Sequence, residues 1–339
     1  MRFKKLIAAI DSHTEGQSTR MIIGGIPNIL GRTMAEKRDF VKQNLDYLRT
    51  SLLHEPRGVV SPFGCILTPP VTDEAAFGVI WMQAGMQMEP TRYIDMCGHG
   101  TIGVATTAVE MGIVEPVEPI TEIIIDTPAG IVRAKVNVDN GRAKSVTLQN
   151  VPSFLYKTGV IKVPDLGELP FDIAYGGNNY AIVEAKDLGI TTSVADIKRA
   201  RDVIVQIITS FNQQVEIRHP EKDYIKGISM ILVSDKPTSP KASVRNIEVG
   251  SSGGIDRSPC ATGTCARMAT EYAKGKLNLG ETFVTESITG TLFYGKLVKE
   301  VNVSGLKAVI PEVTGSAFIT GIHHFVIDED DPFKYGFRL

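Results

Sequence analysis

No stretch of this chain approaches the roughly 20 consecutive apolar residues needed to cross a bilayer. The first apolar run, Leu6 to Ile10, stops at Asp11 after five residues. That is too short for an export signal, despite the basic residues before it, and reads better as a first strand. Basic runs are missing too. The 36 Lys and Arg are interspersed with 38 Asp and Glu, for a net charge of -2, which leaves no electrostatic footprint for nucleic acid or an acidic membrane surface. Only four cysteines occur, Cys65, Cys97, Cys260 and Cys265, in no disulfide-rich pattern, so an oxidising compartment is not expected. Low-complexity segments, a pyridoxal-type lysine motif and a phosphate-binding loop are also absent. The expectation is a cytoplasmic protein that takes a small molecule and needs no cofactor.

What is present is a strand-rich chain long enough, at 339 residues, for two domains with sizeable cores. Alternating β-branched stretches bounded by turn residues run over Thr19 to Gly24, Ala76 to Ala84, Glu122 to Asp126, Ile131 to Val138, Ser145 to Leu148 and Thr291 to Val303. Helical periodicity is confined to Met34 to Leu53, to Val194 to Phe211 behind a capping Thr192 or Ser193, and to two segments that follow cysteines. The fold class is therefore α+β with few helices. A composition break at Glu115-Pro116-Val117-Glu118-Pro119 is the best linker candidate.

One pattern occurs twice. Cys97-Gly98-His99-Gly100-Thr101 and Cys260-Ala261-Thr262-Gly263-Thr264 share Cys-x-x-Gly-Thr, and each runs into a small-residue helix that stops at Gly112 or Gly275, fifteen positions after its cysteine. Strands precede each motif and a long β segment follows it, which implies a duplicated unit. A thiol where a turn meets a helix start faces unpaired backbone N–H groups and the positive end of the helix dipole, so its pKa is expected to fall toward neutrality. Glycines let the backbone approach a ligand, a helix beginning at Thr101 offers its N–H groups to a carboxylate, and Pro259 rigidifies the second turn. With a carboxylate held there, one thiolate could remove the proton of the adjacent carbon while a thiol delivers another, inverting it. The N–H donors would stabilise the enediolate that develops.

His99 and Asp256 flank the thiols at positions from which they could orient a substrate amine. Each also has a plain structural reading: His99 as a turn residue, Asp256 as a cap or a partner of Arg257. Most free cysteines are small buried hydrophobes. That reading is preferred for Cys65 and for Cys265, the latter having a resolving thiol as its alternative. A metal held by Cys97, His99, Cys260 and Cys265 is disfavoured, because the spacings lack the tight knuckles of structural zinc.

At these residues the chain resembles the proline racemase family. Met96 to Gly103 and Asp256 to Thr264 look like its two catalytic motifs. The likeness extends through Asp11-Ser12-His13-Thr14-Glu15-Gly16, Gly24-Gly25-Ile26-Pro27, Glu55-Pro56-Arg57-Gly58, Tyr175-Gly176-Gly177-Asn178 and Thr314 to Gly321. The resemblance implies a diaminopimelate-epimerase-like fold: two pseudo-symmetric domains, each with a sheet wrapped around a central helix, and an active site in the interdomain cleft. The last strands would return to the first domain. The expected division is 1–118 plus 314–339 for the lobe carrying Cys97, and 119–313 for the lobe carrying Cys260. It also implies a homodimer that inverts the α-carbon of proline or hydroxyproline, a small imino acid, with Cys97 and Cys260 as the two bases. His99 and Asp256 would contact the ring nitrogen, and backbone N–H groups of Gly98, His99, Ala261 and Thr262 would bind the carboxylate.

Some members of the family are instead dehydratases of trans-3-hydroxy-L-proline and commonly carry threonine for the second cysteine; both cysteines here favour inversion. A non-catalytic amino-acid-binding or thiol-redox protein is the remaining alternative. Departures bear on the substrate. Where proline racemases show Arg-Gly-His-x-Asp-Met-Phe-Gly, this chain has Arg57-Gly58-Val59-Val60-Ser61-Pro62-Phe63-Gly64, which keeps the pocket residue Phe63 and loses the polar pair. A second pocket aromatic gives way to Gly250, followed by Ser251 and Ser252. The pocket is expected to be roomier and more polar on that side. Met86 to Arg92 looks like an insertion.

Overall fold

The computed structural model describes residues 5–58, 63–84, 93–228, 230–251 and 253–337. Val59 to Pro62, the segment Met86 to Arg92 and Ser252 lie outside the described residues. The elements, in order, are β1 (Lys5–Thr14), β2 (Gln17–Gly24), α1 (Met34–Asn44), α2 (Asp46–Leu53), β3 (Phe63–Thr68), β4 (Phe77–Gln83), β5 (Tyr93–Ile94), α3 (Gly98–Glu110), β6 (Ile120–Thr127), β7 (Gly130–Asp139) and β8 (Arg142–Gln149). There follow β9 (Ser153–Val163), β10 (Gly167–Tyr175), β11 (Asn179–Glu184), α4 (Val194–Gln214), β12 (Met230–Asp235), β13 (Val244–Gly250), α5 (Ala261–Ala273), β14 (Thr282–Glu286), β15 (Leu292–Val303), β16 (Leu306–Gly315) and β17 (Ala317–Ile327). Every strand and helix expected from the residue pattern is present, except that the helix expected over Met34 to Leu53 breaks at Leu45 into α1 and α2. Among the described residues no helix is long and apolar enough to cross a membrane.

The chain forms two compact units, Met1–Thr147 with Ser316–Leu339, and Leu148–Gly315. The boundary therefore falls later than the composition break at 115–119. The reason is pairing: β6 lies parallel to β4, with Phe77 opposite Ile125 and Gly78 opposite Asp126. The Asp126 carboxylate also accepts from the N–H groups of Val71 and Thr72, at 2.7 and 2.9 Å, which ties β6 to the first unit.

In the first unit β1 and β2 form a hairpin, β2 runs parallel to β3 after α1 and α2, β3 and β4 pair antiparallel, and β4 runs parallel to β6 after α3. β6 and β7 close the series antiparallel, and β17 adds to the free side of β1. One face of this sheet, with Ile7, Ile22, Ile66, Ile80 and Met82, packs on Met34, Val41, Leu48 and Leu52 of α1 and α2. Around the other helix the sheet curls, so that α3 touches β1, β2, β3, β7 and β17. Gly98 to Val109 are all buried. Such a helix, small and uncharged on every side, has no face suited to water.

The second unit repeats this order of pairings. β10 and β11 form a hairpin, β11 runs parallel to β12 after α4, β12 and β13 pair antiparallel, β13 runs parallel to β14 after α5, and β14 and β15 pair antiparallel. β16 joins β15 to β9, and β9 joins β10, so the strands close into a ring without a free edge. Inside it α5 touches β9, β10, β11, β13, β15 and β16. Outside, Ile197, Ile204, Ile207 and Phe211 of α4 cover Ile231, Val233, Ile247 and Val249. In each unit the cysteine helix is thus the crossover between the second and third hairpins.

Candidate active site

Both thiols sit at the N-cap of a buried helix. α3 begins at Gly98, three residues earlier than the Thr101 start expected from sequence, so Cys97 caps it in an extended conformation with φ -134° and ψ 106°. Its carbonyl accepts the first helical bond from Thr101 N at 2.9 Å and a second from Thr101 Oγ1 at 2.7 Å. The Cys97 side chain caps nothing, and Sγ turns to the His99 ring, 3.5 Å from Nδ1 and 3.6 Å from Nε2. Phe63 stands edge-on to that ring, centroids 4.5 Å apart, and Thr14 Oγ1 donates to the His99 carbonyl at 2.8 Å. Burial lowers the His99 pKa to about 3, so the imidazole is neutral and can accept a hydrogen bond from an ammonium group.

Cys260 caps α5 from a different backbone conformation, φ 59° and ψ 91°. That is the left-handed region, disfavoured for a side chain at a cost of about 1–3 kcal/mol, and such strain persists only where surrounding contacts enforce it. Here Cys260 N donates to Ser258 Oγ at 3.2 Å, Ser258 N donates to Asp256 Oδ1 at 2.8 Å, and the Cys260 carbonyl accepts from Thr264 N at 2.7 Å. The sulfur lies 3.4 Å from Tyr180 Oη, which lies 2.6 Å from Thr262 Oγ1. The Gly263 N–H also points at the sulfur.

The shared glycine has a shared purpose. A β-carbon on Gly100 would stand 2.9 Å from Cys97 Sγ and 2.5 Å from the Trp81 ring, and one on Gly263 would stand 2.9 Å from Cys260 Sγ. Only glycine at the third position after the cysteine leaves each thiol its place.

The electrostatics correct one expectation. The Cys260 pKa is raised, first by burial and then by the Asp256 and Glu248 carboxyls. Desolvation and like charge outweigh the helix dipole and the N–H donor. Cys260 is therefore a thiol in the substrate-free unit. Both acids shift the same way: burial raises both, and Asp256 raises Glu248 further. Ligand atoms of Glu248, Asp256 and Cys260 all lie within 4.8 Å of one another, so among the described residues these three could hold a cation. Cys265, the metal alternative's other ligand, is fully buried, with its pKa pushed up to about 12 by burial, and Cys65 is fully buried as well.

The structure brings Phe63, Gly98 and His99 around Cys97, and Asp256, Ala261 and Thr262 around Cys260. Sequence reasoning missed Tyr180, Trp81 and Glu248. Glu248 had a visible signal, an acid inside the apolar run Ile247-Glu248-Val249.

The family model for proline racemase matches residues 9–338. Proline racemase of Clostridioides difficile is 47% identical over 340 residues, all of both chains. The 4-hydroxyproline 2-epimerase of Streptosporangium roseum is 45% identical over 342 residues, again all of both. Among solved structures, a hydroxyproline epimerase from Agrobacterium vitis with bound trans-4-hydroxy-L-proline superposes with a TM-score of 0.92 at 34% identity, covering 100% of this chain and 97% of that one. A likeness that runs the length of the molecule, with both thiol motifs inside it, makes this chain a member of the proline racemase family.

Proposed function

We propose that the chain is a racemase or epimerase that inverts the α-carbon of proline or hydroxyproline with two thiols and no cofactor. The observation that carries this reading is the matched pair of helix starts, each with a buried thiol at the N-cap and a glycine keeping its sulfur clear. In this reading each unit contributes one thiol to the substrate's α-carbon. Its carboxylate lies on the N–H groups of Gly98, His99, Ala261 and Thr262, and its amine is held by neutral His99 and by Asp256.

Because Cys260 rests as a thiol, Cys97 is assigned the first base for one enantiomer. The Cys97 thiolate takes the α-proton, the electron pair passes into the carboxylate as an enediolate, and Cys260 S–H gives its proton to the opposite face. The N–H donors are preorganised where negative charge grows, which is the largest stabilisation available at such a site. The reverse direction exchanges the roles. A homodimer and a cytoplasmic setting belong to the same proposal.

Chiral chromatography after incubation with L-proline, trans-4-hydroxy-L-proline and trans-3-hydroxy-L-proline, supplied separately, tests it. The opposite epimer from either of the first two supports inversion. A cyclic imine from the third, without any epimer, moves the assignment to dehydration.

A further inference from the structure

Glu248 has no part in the chemistry just described, yet it lies beside the second thiol. Side chains alternate along β13. Ile247 and Val249 enter the core under α4, so Asn246, Glu248 and Gly250 face the α5 side. Glu248 is 3% exposed, and its carboxyl lies within 4.8 Å of both the Asp256 carboxyl and Cys260 Sγ. Among the described residues its carboxyl enters no ion pair and no hydrogen bond. Arg245 falls on the other face of β13 and donates to the Ile288 carbonyl at 3.0 Å, while Arg257 donates to the Ile255 carbonyl at 2.8 Å and acts on Asp256. Two residues further on, the same strand face carries Gly250, with no side chain to fill the space.

A buried carboxyl without a partner is costly unless a ligand completes it. The ligand group is set by the neighbour. Asp256 is anchored by Ser258 N–H and serves the amine, and two adjacent buried carboxyls do not both ionise. Glu248 is the one that keeps its proton, burial and the Asp256 charge both acting in that direction. A protonated carboxyl donates one hydrogen bond and accepts others. A hydroxyl matches both capacities, and a ring methylene matches neither.

We propose that Glu248 is a specificity-determining residue whose carboxyl hydrogen-bonds a hydroxyl on the substrate ring, so that this chain acts on hydroxylated imino acids in preference to proline. The inference rests on the racemase or epimerase reading. A site built to bond a substrate hydroxyl rejects the analogue that lacks it, because its own polar group is then left unpaired.

The test compares kcat/KM for trans-4-hydroxy-L-proline and L-proline in the wild-type enzyme, Glu248→Gln and Glu248→Leu, with thermal melts confirming that all three fold. The wild type is expected to favour the hydroxylated ring by about tenfold or more. Glu248→Leu lowers that preference by about 10–100-fold, largely through KM, and Glu248→Gln, which keeps a donor and an acceptor, restores part of it. Equal losses for both rings, or a wild-type preference for proline, would overturn the proposal. Turnover of neither ring by the wild type would instead overturn the racemase reading beneath it.

Discussion

Cys260 Sγ and the backbone of Gly263 occupy one another's only available space: a β-carbon on Gly263 would lie 2.9 Å from the sulfur and 2.9 Å from Leu232 Cδ1. In a buried helix alanine is ordinarily the better residue, by about 1 kcal/mol. The glycine is kept for the thiol. Gly263→Ala, and Gly100→Ala beside Cys97, are expected to lower kcat by about 100-fold or more through displaced sulfur. Steady-state kinetics with circular dichroism on the same samples checks this. Wild-type turnover in either variant would remove the steric argument.

Serine cannot replace either thiol, since its hydroxyl is far too weak an acid to exchange protons near neutrality. Cys97→Ser and Cys260→Ser should each lower racemisation by about 10²–10⁴-fold, measured by polarimetry in both directions. Near-normal rates in both variants would end the two-thiol mechanism.

The hydrogen bond between Tyr180 Oη and Cys260 Sγ lowers that thiol's pKa against the larger upward push of burial. Tyr180→Phe removes this bond. Titration of Cys260 by alkylation rate, with the other thiols replaced, should move to higher pH in this variant. An unchanged or lower midpoint would contradict the assignment.

The raised pKa of Asp256 has a consequence for stability. In the pH window between an ordinary carboxylate pKa and the raised folded value, the native state holds a proton that the unfolded chain has released, so stability falls as pH rises. Asp256→Asn removes this penalty. It is expected to melt higher than wild type at pH 8, with the advantage shrinking toward pH 4, while turnover falls sharply. A variant that melts lower at pH 8 than at pH 4, relative to wild type, would reverse the sign.

Much of the molecule was legible in the residues, and the exceptions have physical causes. Cys-x-x-Gly-Thr could be read twice because the constraint is local: a cap, a glycine under the sulfur and a threonine whose N–H closes the first turn act within five positions. Gly112 and Gly275 announced the helix ends, and both adopt positive φ. The domain boundary was misplaced because the parallel pairing of β4 with β6 joins residues far apart in sequence, and the Pro-rich break before β6 is only a loop. The helix expected over Met34 to Leu53 hid its kink at Leu45, a position apolar in either case. The Cys260 pKa ran opposite to expectation because the helix dipole is a property of the motif, whereas burial and the approach of Glu248 come from the fold. Tyr180 and Glu248 reach Cys260 from β11 and β13, and no spacing rule could join them to it.

The central claim is inversion by two separate bases, and isotope placement tests it most directly. A single enantiomer of the preferred ring is incubated in deuterium oxide, stopped at a few per cent conversion, and both epimers are separated and examined by proton NMR. The account predicts deuterium at the α-carbon of the product epimer and protium in the recovered substrate, since the acid that delivers the proton differs from the base that removed one. Deuterium in the recovered substrate at the rate of product formation would show a single base serving both faces, and would contradict it.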